Sequence, residues 1–161
     1  RAHILGQFQN IGGVFGRESQ AADLCAAFER EWAATTAWLT GVPQQRVLYL
    51  IWRQPWLSVA RDTYISRMLA AAGWDTLPVL SSVRYPEVDL PSVAREADIV
   101  LLSSEPYPFR EKHRRQLLDE LPGVRATLID GELVSWYGTR ALHGLPYLRR
   151  LRRELANSPA T

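Results

Sequence analysis

Short apolar runs alternate with segments of helical periodicity through most of this 161-residue chain, and that alternation limits what it can fold into. The run at residues 46–52 is almost continuously apolar, as expected for a strand buried on both faces. Further strands are predicted at 98–103 and 125–129, with a weaker one at 77–80. The pattern predicts a three-layer α/β fold, in which about four mainly parallel strands form a doubly wound sheet.

A long helix is predicted ahead of the sheet, over residues 17–40. Apolar side chains recur there at the i, i+3, i+4 spacing that places them on one helix face, and Gly41 and Pro43 end the pattern. Such a helix would be about 35 Å long, which is more than one small domain needs. We therefore expect it to connect this domain to something else.

Shorter helices are predicted between the strands. Asp62 and Asp89 are each placed to cap a helix at its first turn. Two further helices are predicted at 110–121 and from about 144 to 156.

Composition and charge exclude several functions. Apolar residues make up 47% of the chain, yet no run is long enough to span a membrane. The single cysteine, Cys25, excludes an internal disulfide and a multi-cysteine metal site. The positive charge is almost entirely arginine, which suits an anionic ligand. Arginines on ordinary solvent-exposed surfaces, with no role in binding, explain the same composition. The basic run at 149–153 lacks interleaved aromatic residues, so nucleic-acid binding is not expected.

Four loops follow the predicted strands at the carboxyl edge of the sheet, where ligands of open α/β sheets bind. Each loop carries an aromatic residue, and three carry arginine. They span residues 53–58, 83–89, 104–109 and 130–140. This pattern predicts a flat, mostly apolar ligand with a few anionic groups, unless the rings pack beneath their own loops.

No catalytic or metal-binding motif emerges. Serine, histidine and aspartate occur near the strand ends, but there is no G-x-S-x-G motif. His3 and His143 have no companion at metal-ligand spacing. The glycines at 12, 13 and 16 follow no predicted strand and do not match G-x-G-x-x-G. We therefore predict no catalytic residues, no metal ligands and no cofactor.

Four segments resemble the helical-backbone metal receptor family, the substrate-binding proteins of ABC importers for cobalamin, ferric siderophores and haem. They are 48–52 (LYLIW), 84–88 (RYPEV), 103–109 (SSEPYPF) and 135–140 (SWYGTR). The likeness extends over nearly the whole chain. It implies two α/β lobes joined by one long rigid helix, with the ligand held between the lobes.

The resemblance also implies a domain organisation. Residues 1–16 would be the remnant of a first lobe, 17–42 the interdomain helix, and 43–161 the C-terminal ligand-binding lobe. Most of the N-terminal lobe has no counterpart in this sequence, so we expect the chain alone to bind weakly. An apolar stripe before the helix, whose partners would lie in that lobe, predicts self-association; it comprises Ile4, Phe8, Ile11 and Phe15.

The resemblance assigns roles to residues in these motifs. Trp56 and Tyr85 take places where cobalamin-binding relatives put aromatic rings against the ligand. Trp136 and Arg140 lie in the loop that supplies aromatic and polar contacts. The predicted ligand-binding set is Trp56, Arg84, Tyr85, Trp136, Tyr137 and Arg140. Relatives also use an acidic residue to engage the permease; Pro91 occupies the nearest matching position, so Glu87 and Asp89 are the candidates here.

The expected function is capture of a metal chelate, with cobalamin or a ferric siderophore favoured over haem, for delivery to an ABC permease in the inner membrane. The expected location is periplasmic or anchored at the cell surface, with the signal segment outside this sequence. Two alternatives remain open: a small-molecule enzyme of the doubly wound class, or a structural or regulatory domain that has lost its ligand.

Overall fold

A single parallel sheet of four strands forms the centre of the computed structural model, which describes residues 5–6, 10, 17–136 and 140–157. The strand order is β2-β1-β3-β4, and all three pairings are parallel. The strands are β1 (Gln45–Leu50), β2 (Trp74–Leu77), β3 (Ile99–Ser103) and β4 (Ala126–Ile129). The predicted doubly wound α/β class is confirmed.

Six helices have defined bounds within residues 17–136 and 140–157. They are α1 (Glu18–Leu39), α2 (Tyr64–Ala70), α3 (Leu90–Glu96), α4 (Glu111–Glu120), α5 (Gly131–Ser135) and α6 (Arg140–Asn157). None of them is both long enough and apolar enough to cross a membrane, within the part of the chain that the structure describes.

The sheet is covered on both faces, which explains why its central strands are almost wholly apolar. In β1, Val47 and Tyr49 point into one cluster, together with side chains of α1, α2 and α6. Leu48 and Leu50 point to the opposite face, into a cluster that includes side chains of α3 and α4. Burying each of these side chains stabilises the fold by about 1.5–3 kcal/mol.

The long helix α1 is continuous over 22 residues, as predicted, which makes it about 33 Å long. It is attached to the lobe through α6. Phe28 of α1 is fully buried in the core. Next to this contact, Arg149 of α6 donates to the Glu31 carboxylate at 2.9 Å, in a partly buried ion pair.

The predicted position of the weak edge strand is wrong by three residues. It was expected at 77–80, but β2 ends at Leu77. Pro78 has no backbone N–H to donate to a neighbouring strand, and Val79 and Leu80 after it are exposed. The apolar residues that indicated a strand therefore belong to the loop that follows it.

Helix starts also differ from the predictions. Thr63, not Asp62, caps α2, because its hydroxyl accepts the N–H of Ser66 at 3.2 Å. Asp89 occupies the cap position of α3 as predicted, but its side chain makes no capping hydrogen bond. Helix α6 begins at Arg140 rather than near Gly144, and Gly144 lies inside it against the backbone of α5.

Most of the predicted first-lobe remnant lies outside the described residues. Within 1–16 the structure describes only positions 5, 6 and 10, so the stripe of Ile4, Phe8, Ile11 and Phe15 is not among them. Leu5 packs against the core, and its carbonyl lies 3.8 Å from the sulfur of Cys25. The division of the chain into remnant, helix and lobe stays a prediction.

Candidate functional site

A cleft of about 480 Å³ lies at the carboxyl edge of the sheet. It is bounded by segments that follow β1, β2, β3 and β4, so every strand of the sheet leads into the same site. Its lining is mostly apolar, with few charged groups. The residues are Ile51, Thr63, Tyr64, Ile65, Arg84, Tyr85, Glu105, Pro106, Ser135 and Trp136.

Two exposed aromatic residues line this cleft, and each is accompanied by an arginine. Tyr85 is 47% exposed and Trp136 is 53% exposed, which is unusual for large rings of a folded protein. The guanidinium of Arg84 lies 5.8 Å from the ring centroid of Tyr85, and that of Arg140 lies 5.4 Å from that of Trp136. Cation–π contacts at such distances hold the rings in place.

Carboxylates anchor the Trp136 side of the cleft. The indole N–H of Trp136 donates a hydrogen bond to the carboxylate of Glu105. Arg140 forms an ion pair with Glu132, which directs its guanidinium toward the ring of Trp136. An exposed ring held from two sides presents a fixed flat surface, which is suited to stacking against a planar ligand group.

The backbone of Glu105 is itself held by a series of buried hydrogen bonds. The fully buried Tyr49 donates to the Ser103 hydroxyl at 2.9 Å, and Ser103 donates to the Glu105 carbonyl at 2.7 Å. Burial raises the pKa of Tyr49 to about 12, against the smaller lowering effect of the hydrogen bond with Ser103. The tyrosine therefore remains a neutral donor, and the loop after β3 leaves the sheet in one defined direction.

A glycine allows the loop after β3 to approach α5 closely. A Cβ added to Gly131 would lie 2.4 Å from the Ser103 hydroxyl oxygen and 2.8 Å from Cγ of Glu105. The backbone N–H of the same glycine donates to the Ser104 hydroxyl at 2.9 Å. Any larger residue at this position would displace the segment that carries Glu105.

Trp56 is placed differently from the other predicted ligand contacts. It does not line the cleft but stacks on Phe109, with ring centroids 6.1 Å apart and planes at 3°. Arg53 lies over its ring at 5.6 Å. Phe109 is buried in the core on the far face of the sheet, so Trp56 packs over that core. The ring continues the hydrophobic core outward rather than entering the cleft.

The aromatic cluster that surrounds Phe109 contains a histidine. The ring of His113 lies 5.8 Å from Phe109 and 5.4 Å from Tyr107, and its Nδ1 accepts the backbone N–H of Arg110 at 3.0 Å. Desolvation lowers the pKa of His113, and the nearby charge of Lys112 lowers it further. Neutral His113 thereby caps the first turn of α4, directly after the loop that carries Glu105.

Several other predicted site residues can be placed. Glu87 and Asp89 are both exposed, and Glu87 forms an isolated bridge with Leu57 in the loop after β1. Tyr137 lies outside the described residues. The ligand-binding and permease-docking roles of these residues stay predictions. Glu105 and Ser135 also line the cleft, although no role was predicted for either; the sequence signal for them was their place in the segments 104–109 and 130–140 at this edge.

Sequence comparisons identify no relatives: no family model matches the chain, and no curated protein matches it either. Solved structures do match. The periplasmic vitamin B12-binding protein of Vibrio cholerae superimposes with a TM-score of 0.76 over 96% of this chain and 62% of its own, at 11% identity. This chain has the fold of the C-terminal lobe of such binding proteins. It spans about 60% of their length.

Two further structures give the same result. A periplasmic heme-binding protein from Roseiflexus matches with a TM-score of 0.76 and 19% identity, over 95% of this chain and 63% of its own. An ABC-type Fe³⁺-hydroxamate transport protein from Saccharomonospora viridis matches with a TM-score of 0.69 and 17% identity, over 96% and 55%. The first two of these three neighbours bind vitamin B12 and heme, and the third belongs to a transport system; at such identities the likeness establishes the fold alone.

Proposed function

We propose that the chain is the ligand-capturing lobe of a substrate-binding component of an ABC importer, and that its ligand is a metal chelate such as cobalamin, a ferric siderophore or haem. The observation that carries the proposal is the cleft bounded by Tyr85 and Trp136, because exposed rings at the carboxyl edge suit a large, partly apolar ligand. The chelator would hold the metal, so the protein needs no metal ligands of its own.

The cleft of one lobe covers part of such a ligand. In the longer structural neighbours, the part that matches this chain makes up about 60% of the protein. We expect a second lobe to complete the site, and the long α1 to connect the two. Affinity depends on how much of the ligand surface is enclosed, so this chain alone should bind more weakly than a two-lobed receptor.

Delivery to a permease would use the exposed acidic residues beside the cleft. Glu87 and Asp89 are both exposed and close in sequence to Tyr85, so a permease that contacts them would also lie over the ligand. A protein with this role would work in the periplasm or at the cell surface. The structural neighbours from Vibrio cholerae and Roseiflexus are periplasmic proteins, which supports this location.

Absorbance titrations of the purified chain with cyanocobalamin, hemin and ferrichrome test the proposal. At least one of them should bind, and Trp136→Ala or Tyr85→Ala should weaken that binding about three- to tenfold through loss of stacking. Trp38→Ala is the matched control, because Trp38 lies beside the sheet's amino edge next to Gly41 and Gln45. A chain that binds none of the three, or whose binding is insensitive to both cleft variants, would refute the proposal.

A further inference from the structure

Among the described residues that line the cleft, one carries a negative charge and one a positive charge. Glu105 supplies the carboxylate, and Arg84 supplies the guanidinium. The remaining lining is apolar or neutral. The two charges come from different loops, since Arg84 follows β2 and Glu105 follows β3. A ligand in this cleft therefore meets a positive charge from the loop after β2 and a negative charge from the loop after β3.

Glu105 is the more rigidly held of the two. Its backbone is tied to the buried Ser103, and one oxygen of its carboxylate accepts the indole N–H of Trp136. Arg84, in contrast, is exposed and lies over the ring of Tyr85. A fixed charge needs no reorganisation when a ligand arrives, so it discriminates between ligands more sharply than a mobile one.

The surroundings strengthen the effect of this carboxylate. Ile51, Ile65 and Pro106 line the same cleft, so an entering ligand replaces water around Glu105 with apolar groups. Electrostatic interactions strengthen as the local dielectric falls. A ligand carboxylate brought against Glu105 would be repelled, whereas an ammonium, amide N–H or hydroxyl group would be attracted.

We propose that Glu105 determines which chelates the cleft accepts and how they are oriented. Ligands that direct a cation or hydrogen-bond donor toward the Trp136 side, and any acidic group toward Arg84, are favoured. Chelates with acidic groups on both sides are disfavoured. This inference rests on the proposed function, because it specifies the chemistry of the ligand for the same cleft.

Three iron chelates of different charge and the isosteric variant Glu105→Gln provide the test. Ferrioxamine B carries a pendant ammonium, ferrichrome has the same hydroxamate iron centre without it, and hemin carries two carboxylates. Glutamine keeps a carbonyl oxygen that can accept the indole N–H of Trp136, so we expect the variant to fold like the wild type. Circular dichroism of the variant checks this. Glu105→Gln should weaken the binding of ferrioxamine B about tenfold, because a hydrogen bond between two charged groups is stronger than one with a neutral partner. The affinity for ferrichrome should stay nearly unchanged, and the affinity for hemin should rise because the carboxylate that repels it is gone.

Glu96→Gln serves as the matched control. Glu96 is an exposed carboxylate at the end of α3 that does not line the cleft, so its neutralisation should shift all three affinities little and equally. In the wild-type chain, the preference for ferrioxamine B over ferrichrome should shrink as salt rises, because salt screens the charge that produces it.

The outcomes distinguish failure of the proposed function from failure of the role of Glu105. If the wild-type chain binds none of the chelates, the proposed function fails and the inference about Glu105 fails with it. If chelates bind but Glu105→Gln changes all three affinities equally, or changes none, the role of Glu105 is refuted while the proposed function stands. That role is also refuted if Glu96→Gln produces the same selective shift.

Discussion

Tyr49 of β1 donates its hydroxyl hydrogen to the Ser103 oxygen at 2.9 Å, at the point where β3 ends. Ser103 in turn donates to the carbonyl of Glu105, at 2.7 Å. A fully buried core residue is thus connected through two hydrogen bonds to a residue that lines the cleft. The geometry of the candidate site is therefore set by the same packing that stabilises the sheet.

Tyr49→Phe should reduce the free energy of unfolding by about 1–2 kcal/mol near neutral pH, because it removes a buried hydrogen bond. The difference from wild type should also depend on pH. The folded-state pKa of Tyr49 is raised to about 12, above its ordinary value, so the stabilisation is complete below pH 10 and is lost as pH rises toward 12. That loss amounts to about 2–3 kcal/mol.

Urea unfolding of both proteins between pH 7 and 11.5 measures this effect. The wild-type chain should lose stability relative to Tyr49→Phe above pH 10, since the variant has no phenol to ionise at that position. Other tyrosines titrate in both proteins and cancel in the comparison. Two unfolding curves that stay a constant distance apart at every pH would contradict the buried position of the hydroxyl.

Gly131→Ala should destabilise the chain by about 1–3 kcal/mol through overpacking. The added methyl group would lie 2.4 Å from the Ser103 oxygen, so either the strand end or the loop must move. Thermal unfolding gives the stability, and the NMR shift of the Trp136 indole N–H, which bonds to Glu105, reports the change at the cleft. An unchanged melting temperature would show that Gly131 does not make this close approach.

Much of the fold was predictable from sequence because its strands are buried on both faces. The apolar run at 46–52 contains most of β1, and the periodicity over 17–40 contains α1, each to within about two residues. The edge strand β2 was misplaced because Val79 and Leu80 are apolar yet exposed. Apolar residues at the end of an edge strand do not show whether their backbone is paired or solvated.

The candidate site was less predictable than the fold. Because loops that follow parallel strands lie at the carboxyl edge of the sheet, the sequence correctly placed Arg84, Tyr85 and Trp136 at one edge. It did not show that Trp56 stacks on Phe109 or that Glu105 enters the cleft, because both depend on the direction in which a loop leaves the sheet. That direction is set by long-range contacts that local sequence patterns do not contain.

The His113 imidazole should titrate with a pKa below its ordinary value of 6.5, because desolvation and the charges of Lys112, Arg53 and Arg110 disfavour its protonated form. Its contribution to stability is complete above pH 6.5 and is lost as pH falls through the lowered pKa. Protonation converts Nδ1 from an acceptor to a donor, which breaks the cap on the Arg110 N–H. NMR titration of the ring protons measures the pKa.

Lys112→Gln is the companion variant for this titration. It removes one of the cations that lower the pKa of His113, so that pKa should move back toward 6.5. Arg95→Gln, an exposed substitution on α3, should leave it unchanged. A wild-type pKa at or above 6.5 would contradict the packing of the ring against Tyr107 and Phe109.

Phe28→Ala should lower the free energy of unfolding by about 3–5 kcal/mol, because it leaves a cavity where α1 packs into the core. Trp38→Ala, at a half-buried position near the end of the same helix, should cost clearly less. Denaturant unfolding compares the two. Equal small losses would mean that α1 is not anchored to the lobe through Phe28.

NMR titration of the ¹⁵N-labelled chain with cyanocobalamin, which is diamagnetic, tests the ligand cleft most directly and tolerates weak binding. We predict the largest shifts at the Trp136 indole N–H, which bonds to Glu105, and at the amides of residues 84–85 and 105. The Trp38 indole should not shift. Gallium analogues of hemin and ferrichrome extend the same titration to the other two chelate classes. Shifts concentrated around Trp38, or no shift with a large molar excess of any of the three ligands, would contradict the assignment of the cleft as the ligand site.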